Sequence, residues 1–315
     1  MSGRASAGQI ETGTAGRGGG MGNESREIDL WAAALVILLA GLWGGNPVAI
    51  KLSLADAPPI RQAWMRFVLG GLTVLAWAWR SRTSVRIARQ EVPPLLLLGA
   101  LFTAQIGLMN LGVKYTSASN VAVLLNAYPI YTVLLSHFFV PGDRLTGKRA
   151  VGTLLAYAGV ILLFAQEFRL SSAGLAGDAI VSGSAFLLGV RTVCMNRVVQ
   201  RIEPVKLLLA QVAFGVPCFL LWSAAAEAGE PTRYTGALLL SLLFQGVVVA
   251  GFNFILNLHL LRIYRPSGLA SYYLATPLFG VFLSWLIVGE AVAGHLLLSA
   301  CLVVGGIALA NSRPA

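Results

Sequence analysis

SNVAVLLNAYPIYTVLLSHFFV, residues 119–140, reads against SGLASYYLATPLFGVFLSWLIV, residues 267–288. In each copy a proline, Pro129 or Pro277, interrupts an apolar run. Asn126 and Tyr128 flank the first proline, Tyr272, Tyr273 and Thr276 precede the second, and eleven apolar-rich residues follow each. Both runs have the length of a helix that crosses a hydrocarbon core of roughly 30 Å at about 1.5 Å per residue. The first copy continues into Pro141-Gly142-Asp143 and the second into Gly289-Glu290, and the helix after each carries a glycine, Gly159 or Gly306. Self-similarity at this distance marks an internal repeat.

Working outward, the 315 residues are 57% hydrophobic and 11% charged, with mean hydropathy +0.75. Soluble domains carry about 25% charged residues, so this chain lacks the charge to cover a wet surface. The apolar runs predict ten spans, at 30–50, 59–79, 93–113, 118–140, 148–166, 178–199, 204–226, 236–261, 267–288 and 292–311. Prolines that suit a first helical turn punctuate the connectors, at Pro58-Pro59, Pro93-Pro94, Pro204 and Pro266. Residues 1–29 are rich in Gly, Ser, Ala and Arg and read as a disordered cytoplasmic tail, within which Met21 is an alternative start.

Charge orients the spans. With the N-terminus in the cytoplasm, the inside segments hold 16 of the 23 basic residues; the outside segments hold five, Lys51, Arg61, Lys114, Arg169 and Arg233. The remaining two, Arg66 and Arg191, fall within spans. Cytoplasmic loops collect Lys and Arg, so this bias predicts both termini inside and an even helix count. It also accounts for the net charge of +10 without nucleic acid. The repeat then divides the chain into residues 30–166 and 167–311, five helices each, with 312–315 as a second cytoplasmic tail. Because five is odd, two such units enter the membrane in opposite senses, giving an all-α protein of two inverted five-helix repeats.

At this point the residues resemble the drug/metabolite transporter superfamily, specifically its ten-helix members with paired EamA domains. The first helix carries Trp43-Gly44-Gly45-Asn46-Pro47-Val48-Ala49-Ile50-Lys51 and the second Arg66-Phe67. The third leads through Lys114-Tyr115-Thr116-Ser117-Ala118 into the Pro129 helix, and Pro277 with Gly289-Glu290 repeats the scheme. Two positions depart from the pattern: Asp143 stands where Glu is favoured, and Leu188 where the family often has an aromatic. The resemblance implies the fold, a plasma-membrane location and transport, with export of amino acids or other metabolites as the direction. It does not imply a substrate.

Polar residues at mid-span usually face a partner or a wet cavity, because hydrocarbon offers none. On that ground Trp43, Asn46, Asn126, Tyr128, Arg191, Tyr273 and Thr276 are the expected substrate-binding residues, with Pro129 and Pro277 as matched helix breaks. Each has a plainer reading. The prolines can serve packing alone, Trp43 can be a packing residue, and Gln105, Gln245, Asn253 and Asn257 can either line the same cavity or be interhelical hydrogen-bonding groups. Arg191 is the sharpest case: a cation at the centre of a span costs at least about 2.5–3.5 kcal/mol. It reads as a clamp for a carboxylate or phosphate, or else as a structural pair or a snorkelling side chain. Arg66, nearer the outer face, reads as structural or as a vestibule charge.

Absences narrow the function further. No Asp or Glu falls at mid-span, which argues against proton coupling through a central carboxylate and leaves His137 as the remaining candidate. His137, His259 and His295 are scattered, and Cys194, Cys218 and Cys301 lack metal or redox spacing, so nothing calls for a metal, a cofactor or catalysis. Residues 142–149, GDRLTGKR, fit a phosphate-loop pattern until the last position, where Arg149 replaces the required Ser or Thr. The expected partners are a small solute and the lipid bilayer, and the sequence leaves a homodimer open. The alternative from another class is a membrane-embedded enzyme or subunit of an envelope pathway.

Overall fold

The computed structural model describes residues 28–113, 115–116, 118–165, 174–289 and 295–312. The proposed tails therefore lie almost wholly outside the described residues, as do Lys114, Ser117 and Glu290 of the family motifs. Thirteen α-helices run in order: α1 Leu30–Ser53, α2 Pro59–Arg80, α3 Val92–Val113, α4 Ala118–Leu125, α5 Tyr128–Phe139, α6 Gly147–Leu163, α7 Leu175–Val199, α8 Pro204–Ala226, α9 Gly236–Leu243, α10 Phe254–Ile263, α11 Pro266–Tyr273, α12 Thr276–Val288 and α13 Leu296–Ala310. A 3-10 turn, Arg89–Glu91, precedes α3, and a π-helical stretch, Phe244–Asn253, joins α9 to α10. No strand occurs among the described residues.

Among the described residues seven helical stretches are long and apolar enough to cross a membrane: Leu30–Ile50, Arg89–Gly112, Asn120–Phe139, Leu175–Val199, Pro204–Ala226, Gly236–Ile263 and Pro266–Ile287. Leu296–Ala310 is apolar but shorter. Two further expected spans fall on α2, which carries Arg61, Gln62, Arg66 and Arg80, and on α6, which has 17 residues.

Local chemistry sets the helix ends. Proline opens α2, α8 and α11, where its missing N–H is not needed. The Thr146 hydroxyl accepts from Arg149 N at the start of α6, and the Thr235 hydroxyl accepts from Leu238 N at the start of α9. Asp29 accepts from Ala32 N and from the Tyr264 hydroxyl, and these bonds hold its carboxyl below the usual range. Gly289, at φ 76°, ends α12 in the left-handed conformation.

Packing is close enough that backbones touch. A Cβ at Gly152 would lie 2.3 Å from Ala310 N, and one at Gly306 would lie 2.4 Å from Ala156 N, so α6 and α13 meet without side chains between them. The other principal pairs recur in matched form. α1 packs on α12 as α7 packs on α5, α2 packs on the π stretch as α8 packs on α3, and α2 packs on α8.

The described acids sit at the two ends of the bundle. At one end Glu227 accepts from Ile60 N, Arg61 N and the Ser223 hydroxyl, each at 2.8 Å, which places a carboxylate on the positive end of α2. At that same end Asp178 accepts from Thr116 (2.5 Å) and Asn120 (3.0 Å), tying α7 to the start of α4. At the opposite end Asp143 accepts from the Ser267 hydroxyl and Ser267 N, tying the loop before α6 to the start of α11, and pairs with Arg149 at 2.8 Å. The stretch that imitates a phosphate loop is thus a helix cap with an internal ion pair. His137 is exposed at this end, and its Nδ1 accepts from Leu145 N at 3.2 Å.

Candidate functional site

Two helix breaks sit at corresponding positions. α4 stops at Leu125 and α5 restarts at Tyr128, with Pro129 in its first turn; α11 stops at Tyr273 and α12 restarts at Thr276, with Pro277 in its first turn. The hydrogen bonds across the breaks match: Ala127 N to Leu124 O and Ile130 N to Ala127 O in one, Ala275 N to Tyr272 O and Leu278 N to Ala275 O in the other. Neither proline can donate to the carbonyl four residues back, at Leu125 or Tyr273.

Glycines hold a long helix against each restart. A Cβ at Gly44 of α1 would meet Thr276 O at 2.6 Å, Phe279 Cβ at 2.8 Å and Gly280 N at 2.9 Å. A Cβ at Gly189 of α7 would meet Tyr131 Cβ at 2.8 Å, Thr132 N at 3.2 Å and Tyr128 O at 3.4 Å. Relative to Pro277 and Pro129 the contacted residues are the same three positions. Gly44 and Gly189 are therefore equivalents, which makes Asn46 the equivalent of Arg191 and Trp43 that of Leu188. One half presents an amide and an aromatic where the other presents a cation and an aliphatic chain.

Aromatic rings line the α1 side. Trp43 packs edge-on to Tyr273 at 4.7 Å between centroids and to Phe254 at 5.5 Å. The buried Tyr273 hydroxyl donates to Asn257 Oδ1 at 2.7 Å, which fixes the ring. Tyr273→Phe removes that donor and leaves a buried oxygen unpaired. It is expected to lower stability by about 1–2 kcal/mol, read as thermal unfolding in detergent by circular dichroism. An unchanged midpoint would mean that Asn257 finds another donor.

Arg191 is 4% exposed. Its Nε and Nη1 are fully buried with no hydrogen-bond partner among the described residues, and its guanidinium lies 5.2 Å from the Phe102 ring centroid. It stands on α7 two residues beyond Gly189, which packs on the Tyr128 restart, and Tyr128 shares one hydrophobic cluster with Trp43 and Tyr273, which joins the two broken helices. No described acid faces Arg191. A buried cation with unused donors beside an uncharged aromatic wall is chemically complementary to an anion. Asn46 Oδ1, Gln105 Oε1, Gln245 Oε1 and Asn253 Oδ1 are also buried without partners.

The structure thus brings Trp43, Tyr128, Arg191 and Tyr273 into one connected group and sets the Thr276 backbone against Gly44. It does not bring in Asn126, whose Nδ2 donates to Ala122 O at 2.7 Å within its own helix end. Pro47 lies inside α1, which runs on to Ser53. Phe102 and Phe254 escaped the sequence reading because a lone Phe in an apolar run carries no positional signal.

The breaks, the paired glycines and the recurring packing have a counterpart in sequence. The profile of the EamA-like transporter family matches residues 30–165 and again residues 175–312. The chain belongs to the EamA-like transporter family. It is therefore a membrane protein of a transporter family, with two copies of the family's domain. Its relatives include the uncharacterized transporter YoaV of Bacillus subtilis (strain 168), 22% identical over 274 residues, covering 86% of this chain and 94% of that one. A probable amino-acid metabolite efflux pump of Escherichia coli (strain K12) is 25% identical over 285 residues, covering 87% and 92%. A solved crystal structure superposes with a TM-score of 0.79 at 21% identity, covering 89% of this chain and 98% of its own, which shows a shared fold.

Proposed function

We propose that this protein is a secondary transporter that exports small organic metabolites, with carboxylate-bearing solutes such as amino acids as the class. It works by alternating access about a mid-membrane site between two inverted halves. The observation that carries this reading is Arg191, a buried cation with unused donors beside two matched helix breaks. The solute's carboxylate takes the guanidinium fork, and its apolar part lies on Trp43 and Tyr273. Asn46, Asn126 and Thr276 complete the expected set, with Asn126 reached only if its side chain leaves Ala122 O.

The packing supports ten crossings, counting α4 with α5, α9 through α10, and α11 with α12 as single broken or wide-turned spans. The pairs α1–α12 and α2–π stretch, each joining a helix of 30–166 to one of 167–311, recur with the halves exchanged as α7–α5 and α8–α3, and α2–α8 and α6–α13 pair across the halves as well. This is the pattern an in-plane two-fold axis produces. The charge count supports a cytoplasmic location for both termini, and a plasma-membrane location goes with the family resemblance. Asp143 and Asp178, each tied to the start of a broken helix at opposite ends, are suited to hold the two sides shut in turn.

The test is counterflow into liposomes that contain the purified full chain, with the twenty amino acids, benzoate and malate as the panel. Accumulation of at least one carboxylate above empty liposomes is expected. Movement of none of them would overturn the reading.

A further inference from the structure

Arg191 is not the only buried cation without a partner. Arg66 of α2 is 8% exposed, its Nε is fully buried and unpaired, and its guanidinium lies 4.8 Å from the Phe67 ring centroid. No hydrogen bond or ion pair joins it to any described residue. Its Nε is sealed and its Nη1 and Nη2 are not; in Arg191 Nε and Nη1 are sealed and Nη2 is not. Phe67 and Phe102 meet edge-on at 4.9 Å, and Phe219 lies 6.0 Å from Phe67. The order through the core is Arg66, Phe67, Phe102, Arg191.

The two cations stand at different depths. Arg66 is seven residues from the start of α2, at the end of the bundle that holds Glu227. Arg191 is sixteen residues from the start of α7, at the end that holds Asp178, and eight from its finish. At about 1.5 Å per residue these are depths of roughly 10 Å and 24 Å from the same face. One buried, unpaired arginine is a binding site. Two, one above the other with only aromatic rings between and no acid beside either, make a path for an anion with two stations.

We propose that Arg66 is a second anion-binding station, nearer the face that holds Glu227, which receives the solute's carboxylate from Arg191 after the Phe67–Phe102 contact opens. The proposal rests on the transport reading for its direction but not for its chemistry. Cation–π contact with Phe67 and Phe102 keeps each guanidinium in place while its station is empty. A structural arginine would instead spend its donors on carbonyls or acids, as Arg61 does on Glu230 O, Thr232 and Glu227 O.

The test uses the full chain in liposomes, with Cys194, Cys218 and Cys301 replaced by serine. In Arg66→Cys, the anionic thiol reagent 2-sulfonatoethyl methanethiosulfonate is expected to react about tenfold faster than its cationic trimethylammonium analogue, because Arg191 attracts the sulfonate along the path. Adding Arg191→Gln should cancel that preference. In counterflow with the best-moved carboxylate of the panel, Arg66→Gln is expected to lower turnover about tenfold and leave half-saturation within about twofold, with Arg66→Lys recovering part of the rate. If Arg66→Cys reacts with neither reagent, or prefers the cationic one, there is no anion station. Wild-type turnover in Arg66→Gln also overturns the proposal while leaving the transport reading intact. Preferential sulfonate labelling in a protein that moves no panel member would do the reverse. Should the Arg66 variants fail to fold, phenylglyoxal on the wild type decides. Adduct formation at Arg66, mapped by mass spectrometry and suppressed by the same carboxylate, supports the station; an unmodified Arg66 excludes it.

Discussion

Arg191→Gln is expected to abolish carboxylate transport and leave the protein as stable as the wild type or more so. The two effects have one cause. The guanidinium sits where ionisation costs about 2.5–3.5 kcal/mol, and nothing described in the folded chain repays that cost through hydrogen bonds or an acid. Replacing it with a neutral amide of similar length removes the penalty. The bound carboxylate then loses its cationic partner at this station, a loss of about 2–5 kcal/mol for a desolvated pair, which appears as a fall of about 30-fold to several thousandfold in transport efficiency. Arg191→Lys keeps the charge and loses the planar fork, so an intermediate rate is expected. Counterflow and thermal unfolding on the same preparations check both halves. Transport lost in proportion to a falling unfolding midpoint would assign Arg191 to structure instead.

Gly306→Val is expected to be the most damaging substitution in the bundle. The new Cβ would fall 2.4 Å from Ala156 N and 2.5 Å from Gly152 O, both backbone atoms of α6 that have no rotamer to change. Gly152→Val meets Ala310 N and Gly306 O in the same way. Either forces α6 and α13 apart and strips contacts along their length, at a cost of about 3 kcal/mol or more. The neighbouring Gly305→Val is the control, because a Cβ there meets nothing within 4 Å. Gel filtration in detergent should give a single sharp peak for Gly305→Val and aggregate for the other two. Equal behaviour of all three would refute the backbone contact.

The features that organise this fold were visible as chemistry in the sequence. Pro129 and Pro277 must break the hydrogen-bond ladder of any continuous helix that runs through them, and the described acids keep to the ends because hydrocarbon penalises them. Arg191 stood out for the same reason, since an ionisable group within a span needs an explanation whether or not its neighbours are known. What stayed hidden depends on which helices meet. That Asn126 turns back on Ala122 O, that Trp43 lies on Tyr273, and that Arg66 shares an aromatic wall with Arg191 are facts of packing, and no periodicity encodes them. The π stretch Phe244–Asn253 was hidden differently. Its residues suit an α-helix equally well, and the wider turn appears only where α2 presses Leu69 and Thr73 against Gly246 and Gly251.

The α6–α13 pair has one more consequence. These helices have 17 and 15 residues, against 24 and 25 for α1 and α7. If all ten stretches cross, this edge offers about 22–26 Å of helix to a hydrocarbon layer of roughly 30 Å. The lipid alongside must thin, or the whole body must tilt, at a fraction of a kcal/mol for each ångström of mismatch. Because one helix of each half forms this edge, a thick bilayer would pull on the seam between the halves. Acyl-chain length then becomes a control on turnover, acting from the rim of the protein on a site it never touches.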